Sequence, residues 1–360
     1  NNWMVASVIS VLRYACLLLT LTLSLGLLAG CGQTEPTVED TPDTQTETDT
    51  QNNTGDLRKI TITEQVRGYH WAPAYLAQSL GYFAEEGLTI RGSDATAPVL
   101  SGDAQFTLKG IETALMVNEG GQGCKVVLST TQKYPYQLIG ATEEYSTLES
   151  LEGGLLAGGQ STNSGPYSFA QACINYSGLE GKVEISTMAS SGYAAAIANG
   201  ELQGAISTNP WSAKQLTDAG GVVIVDGTDD GVIEDIIGSA SYELFTVITS
   251  DALIESDPEL VQSAVNAMAK AIQWMQTATP EEIAAQLGTL FDGATEEELL
   301  YDAQFDKDHQ VATTDGYHTD SGFQAAINLT KLAGGITGDP TADQIFDESF
   351  LDKAWENLGQ

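Results

Sequence analysis

The chain has 360 residues, with 49 Asp and Glu against 14 Lys and Arg, for a formal net charge of −35. Phosphate recognition rests on Lys and Arg neutralising charge, so this balance excludes nucleic acid and anionic lipid headgroups as partners. Charged residues are only 18% of the chain, so the acidity reflects missing bases more than surplus acids, while a hydrophobic share of 42% excludes global disorder.

The N-terminal stretch from Val5 to Gly30 is apolar apart from Arg13 and a few small polar residues, long enough to span a bilayer as an anchor. The run Leu28-Ala29-Gly30-Cys31 favours a different outcome, because it resembles a bacterial lipobox. The expectation is a signal peptide over residues 1–30, removed to leave Cys31 as a lipidated N-terminus on the outer side of a bacterial membrane. Residues 31–56 follow as an acidic, Thr-rich linker that cannot bury enough apolar area to offset its ordering entropy. Cys124 and Cys173 then remain; they are too far apart in sequence for a disulfide framework and read as buried free thiols.

From Leu57 onwards, short apolar runs alternate with helical spacing. Strands are expected at 60–63, 88–90, 105–108, 125–129 and 136–139, with helices over 73–83, just before Gly102, and over 111–119. A second set follows, with strands at 154–157, 183–186, 202–207 and 222–225 and helices over 167–176, 193–199 and 210–219. The segment rich in Asp and Gly after Val225 reads as a loop, and the strand 244–248 returns towards the first sheet. Such alternation implies βαβ units, an α/β fold and mostly parallel sheets.

The last third is helical. Asp257 is an N-cap before Pro258, and Leu260, Val261, Ala264, Val265, Met268, Ile272 and Met275 form one apolar face. A second helix opens at Thr279-Pro280, and Thr295 with Glu298 fits a capping box for a third. His309 and His318 share a polar stretch that reads as a solvated loop, with cation binding as the competing view.

No catalytic signature is present, and four strand-end segments carry the polar and aromatic residues suited to a ligand. The first is Tyr69-His70-Trp71 with Tyr75, ring-bearing side chains beside Gly68; Tyr75 reads equally well as packing under the next helix. Gly110 to Glu112 opens a helix, where an acid is favoured by the dipole and can also pair with an amine. Ser161, Thr162, Asn163 and Ser164 precede another helix as a polar cradle, with Ser164 as the candidate N-cap. Asn209-Pro210-Trp211 is the fourth.

The run from Ala72 through Gln78, Gly81 and Phe83 to Leu88, followed in order by Gly110-Ile111-Glu112-Thr113-Ala114, Ala198-Asn199-Gly200-Glu201-Leu202-Gln203-Gly204-Ala205 and Asn209-Pro210-Trp211, resembles solute-binding proteins of ABC importers in the nitrate/sulfonate/taurine and thiamin-pyrimidine group. The resemblance implies a two-lobed periplasmic-binding-protein type II fold, with lobe 1 formed by 57–139 and 243–360, lobe 2 by 140–242, and a hinged cleft between them. It implies a monomeric, non-enzymatic receptor without metal or cofactor, delivering a small solute to a membrane permease. Arg67 and Lys109 are the only bases near the proposed loops and no Arg follows Arg91, which weighs against an oxyanion and towards a neutral or cationic solute, heteroaromatic ones included. A sensory or surface lipoprotein on the same fold, and an enzyme similar to the pyrimidine-precursor synthases of this group, are the alternatives.

Overall fold

A computed structural model describes residues 56–64, 66–91 and 99–360. The expected signal, Cys31 and the linker up to residue 55 lie outside the described residues, as does most of the helix expected before Gly102. No helix among the described residues is long and apolar enough to cross a membrane.

The first lobe begins with β1 (Arg58–Glu64), α1 (Ala72–Ser79), α2 (Tyr82–Glu85), β2 (Leu88–Arg91), β3 (Phe106–Gly110), α3 (Ile111–Glu119) and β4 (Cys124–Ser129). The second lobe holds β5 (Gln137–Gly140), β6 (Leu155–Ala157), α4 (Gly165–Tyr176), β7 (Glu184–Ser186), α5 (Tyr193–Ala198), β8 (Gly204–Ser207), α6 (Pro210–Asp218), β9 (Val222–Asp226) and α7 (Asp230–Ile237). The chain then returns through β10 (Phe245–Ser250) to a helical layer: α8 (Asp251–Ser256), α9 (Pro258–Thr277), α10 (Pro280–Gly288), α11 (Glu296–His309), α12 (Asp320–Leu332), α13 (Ala342–Ile345) and α14 (Ser349–Asn357).

Two five-stranded sheets result, ordered β2-β1-β3-β10-β4 and β7-β6-β8-β5-β9. The one strand in each that runs against its neighbours is the strand that arrives from the other lobe: β10 is antiparallel to β3 and β4, and β5 to β8 and β9. The pairing of Gln137 with Ser207 puts all of β5 in the second sheet, so the boundary expected at 139/140 moves back to the crossover at 130–136.

Three further expectations are corrected. The helix expected over 73–83 is two helices, because Gly81 adopts φ 80°, a left-handed turn that glycine takes without steric cost. The supposed loop after Val225 contains α7, whose start is held by the Asp229 carboxylate accepting the N–H groups of Gly231 and Val232, while Ile233 and Ile237 bury one face. At Thr295 only the forward half of a capping box forms, the Glu298 N–H donating to its hydroxyl; both halves form at Thr279 with Glu282.

The core centres on α9, which packs between α1 and α14. All seven residues of its expected apolar face are buried, and Ala267, Ala269 and Ala271 are buried as well. Asp257 accepts the Leu260 N–H at 3.1 Å as the expected N-cap. Because Ile272 is fully enclosed, Ile272→Ala is expected to cost about 2–5 kcal/mol from lost transfer energy and the cavity left behind. Asp257→Ala, which removes the cap and a solvent-exposed ion pair with Arg58, should cost about 1–2 kcal/mol. Denaturant midpoints compare the two, and a larger loss for the cap variant would contradict this packing.

Candidate functional site

The two crossovers between the lobes are tied by backbone bonds, from Tyr242 N–H to Gln132 O at 3.0 Å and from Thr130 N–H to Phe245 O at 2.9 Å. They are rich in aromatic residues. Tyr134 is fully buried, with ring centroids 4.6 Å from Phe169 of α4, 4.6 Å from Tyr242 and 5.2 Å from Tyr136. Phe245, at the start of β10, lies against both His70 and Trp71.

Gly68 opens a single 3-10 turn, Tyr69–Trp71, that aims three rings in different directions. The Tyr69 hydroxyl donates to Asp306 Oδ2 at 3.2 Å and the Trp71 indole N–H donates to Thr246 O at 3.2 Å. The His70 ring stacks on Phe245, and its Nε2 lies 2.7 Å from Thr208 O, across the cleft at the end of β8. A carbonyl only accepts, so Nε2 carries the hydrogen, and burial pushes the imidazole pKa down to about 4, keeping the ring neutral.

Tyr75 does not join these rings. Its hydroxyl donates to Glu64, and its ring meets Phe291 and the Arg67 guanidinium inside the first lobe. The reading of Tyr75 as a packing residue is therefore the one the structure supports. Arg67 is also engaged there, by Glu64 and the carbonyl of Leu290, rather than in the cleft.

Glu112 occupies the first turn of α3, and its carboxyl folds back over Gly110. A Cβ at Gly110 would meet both carboxyl oxygens, so a side chain there would displace the Glu112 carboxyl from this position. The carboxyl is turned towards the N–H of Gly165, the first residue of α4 in the second lobe; that N–H, its own N–H and Lys109 favour its charged form. Burial outweighs them and pushes the pKa up to about 7. The stem of Glu112 is half-buried, but Oε2 is sealed from solvent and has no hydrogen-bond partner.

In the second lobe, Ser161, Thr162 and Asn163 are exposed. Ser164 takes the N-cap position of α4, yet its hydroxyl donates to Ser161 O at 2.7 Å instead of accepting from the helix. Asn209 is an N-cap in the full sense, its Oδ1 accepting the Ser212 N–H at 2.8 Å. Trp211 packs edge-on against Tyr301 of α11, with its backbone N–H donating to Asp302 Oδ1 at 2.9 Å.

The residues missed in sequence are thus Phe245, the crossover tyrosines and the acids of α11. Asp302 and Asp306 sit on the buried face of that helix, with pKa values pushed by burial up to about 7 and about 6. Their i, i+4 spacing was the available signal, masked by the many exposed acids of the same segment. His309 ends α11, 3.0 Å from Thr228 Oγ1, while His318 stacks on Phe346 and pairs with Glu348, so the two histidines have separate surroundings. The stretch expected to be a loop is helical as far as His309, and no group of three or more metal-ligating side chains occurs among the described residues.

The profile of the family described as NMT1/THI5 like matches residues 69–283. No curated protein sequence matches the chain. Among solved structures, the ligand-binding component of an ABC-type import system from Staphylococcus aureus, solved with zinc bound, is 15% identical with a TM-score of 0.64, covering 82% of this chain and 99% of that one. A putative periplasmic sulfonate-binding protein from Methylobacillus flagellatus is 15% identical with a TM-score of 0.61, covering 84% and 96%. A desulfurization enzyme, DszB, is also 15% identical, with a TM-score of 0.60 and coverage of 84% and 99%. At these identities the likeness is one of fold.

The buried acids dictate an unusual pH response. Glu112, Glu243 and Asp302 are each raised to about 7, so the folded protein holds protons that the unfolded chain releases near its ordinary values of 4.5 and 3.8. Stability from these groups is greatest in acid and falls as pH rises through 7. His70, depressed to about 4 from 6.5, opposes this only below its unfolded value. Between about pH 6.5 and pH 8 the unfolding free energy should therefore fall, and Glu112→Gln should flatten the decline. Urea midpoints across that interval test this, and a rising midpoint would contradict it.

Proposed function

Because the chain belongs to the NMT1/THI5-like family, we propose that it is the extracytoplasmic solute-binding component of an ABC importer, held to the membrane through lipidated Cys31 and handing its solute to a permease. The observation that carries this reading is the set of polar contacts joining side chains on the first-lobe side to backbone groups of the second lobe: His70 to Thr208 O and Asp302 to the Trp211 N–H. A solute that touches both lobes only when they are shut binds the closed form better and shifts the hinge equilibrium by that difference in affinity. The stacked His70 and Phe245 rings with a few polar anchors suit a small, partly apolar solute. The placement of a carboxyl at the start of α4 supports a neutral or cationic solute over an oxyanion.

An enzymatic role like that of the desulfurization enzyme has less support from the groups available. Cys124 is raised to about 11 by burial and Cys173 higher still, so neither thiol is disposed to act as a thiolate nucleophile.

Thermal unfolding in the presence of vitamin precursors, nucleobases, amines and sulfonates tests the receptor reading, since a solute at 100 times its Kd stabilises the folded state by about 2.7 kcal/mol. The stabilising solute should also reduce the radius of gyration in solution scattering, and Trp211→Ala should weaken its binding. Trp71 is the poorer probe, because its indole is buried in the core and its loss would destabilise the fold itself. A solute that stabilises without any change in radius would contradict capture by closure.

A further inference from the structure

We propose that the cleft contains a recognition site for a protonated amine, with Glu112 as its counter-ion; this deepens the receptor reading and rests on it. Two helices, α3 and α4, begin at the Glu112 carboxyl. Helix starts are the usual seat of a bound anion, because their free N–H groups and dipoles favour negative charge. In this chain the anion is already supplied by Glu112, made possible by the absence of a side chain at Gly110. A second anion placed there would meet a carboxylate at short range in a water-poor setting, where like charges repel strongly.

What the Glu112 carboxyl lacks at one of its oxygens is a donor: Oε2 is sealed from solvent without a hydrogen-bond partner. An ammonium group brings N–H donors for this oxygen and a positive charge for the carboxylate. A sulfonate, nitrate or carboxylate brings only acceptors. A bound amine also resolves the contradiction at Glu112, whose ionisation is opposed by burial and would be favoured again by a cation in contact with it.

The test compares one ring with three head groups: benzylamine, benzyl alcohol and benzenesulfonate, each added to the protein during thermal unfolding, with 1,4-diaminobutane as a second amine. Benzylamine or the diamine should raise the midpoint, more so at pH 8 than at pH 5 because the carboxyl must be ionised, and the alcohol and sulfonate should not. Glu112→Gln should lower the amine affinity by about tenfold or more, as expected when one partner of a buried charge pair is lost. At pH 5, where the native carboxyl is protonated, the variant should unfold at the midpoint of the parent, which verifies that it is folded. Equal stabilisation by the sulfonate or the alcohol, no response to either amine, or an amine response that survives Glu112→Gln overturns the proposal. Should a sulfonate or a neutral solute instead close the lobes in scattering, the receptor reading stands and the amine site falls. Should an amine bind through Glu112 with no change in radius, the amine site stands and capture by closure falls.

Discussion

Glu112 places a carboxyl group where a helix of the first lobe and a helix of the second both begin. Much of the surrounding structure follows from accommodating it. Gly110 leaves room for the carboxyl, and the Gly165 N–H at the start of α4 favours its charged form. The cost is burial of an ionisable group, offset in part by two sets of helix N–H groups and by Lys109. A carboxyl in that balance is poised near neutrality, between a proton and a charge partner.

The fold was legible where local chemistry and tertiary packing agree. The apolar face of α9, the Asp257 cap and the alternation of strands with helices all follow from spacing and residue type, and they reappear with shifts of a residue or two at their ends. Legibility failed where one residue type serves two purposes. The Asp and Gly around 226–231 suggested a loop, yet Asp229 is the cap that starts α7. Gly81 suggested the end of a helix, whereas it joins two. Strand β5 was visible as a strand but not as a member of the second sheet, because sheet membership is decided by pairing with Ser207 and Asp226, distant in sequence.

The site was legible to the same degree. Each strand-to-helix turn announced itself by a Gly, Asn or Ser before a helix start, which brought out His70, Trp71, Glu112 and Asn209. Their partners were not visible, since Trp71 bonds to a residue 175 positions away and Trp211 to one 91 positions away. Tyr75 illustrates the complementary error. It lies on α1 four residues after Trp71, near enough to belong to the same aromatic cluster, but the helix turns it towards Glu64 and Phe291 on the inner side of the first lobe.

Three of the contacts across the cleft share an asymmetry that relates the charge of the chain to its architecture. His70, Glu112 and Asp302 all present side chains from the first lobe or its helical layer, and what they meet in the second lobe is backbone: a strand-end carbonyl at Thr208 and the starts of α4 and α6. Helix starts carry partial positive charge and a strand-end carbonyl carries partial negative charge, so two carboxyls and one imidazole N–H match them without any Lys or Arg from the second lobe. The scarcity of bases is therefore compatible with close docking of two acidic lobes. It also assigns the variable chemistry to one side: the second lobe offers fixed donors and acceptors, while the protonation of first-lobe side chains decides how strongly they are engaged. A cation arriving between them acts on that same balance, because it stabilises the ionised form of Glu112 that the Gly165 N–H also prefers.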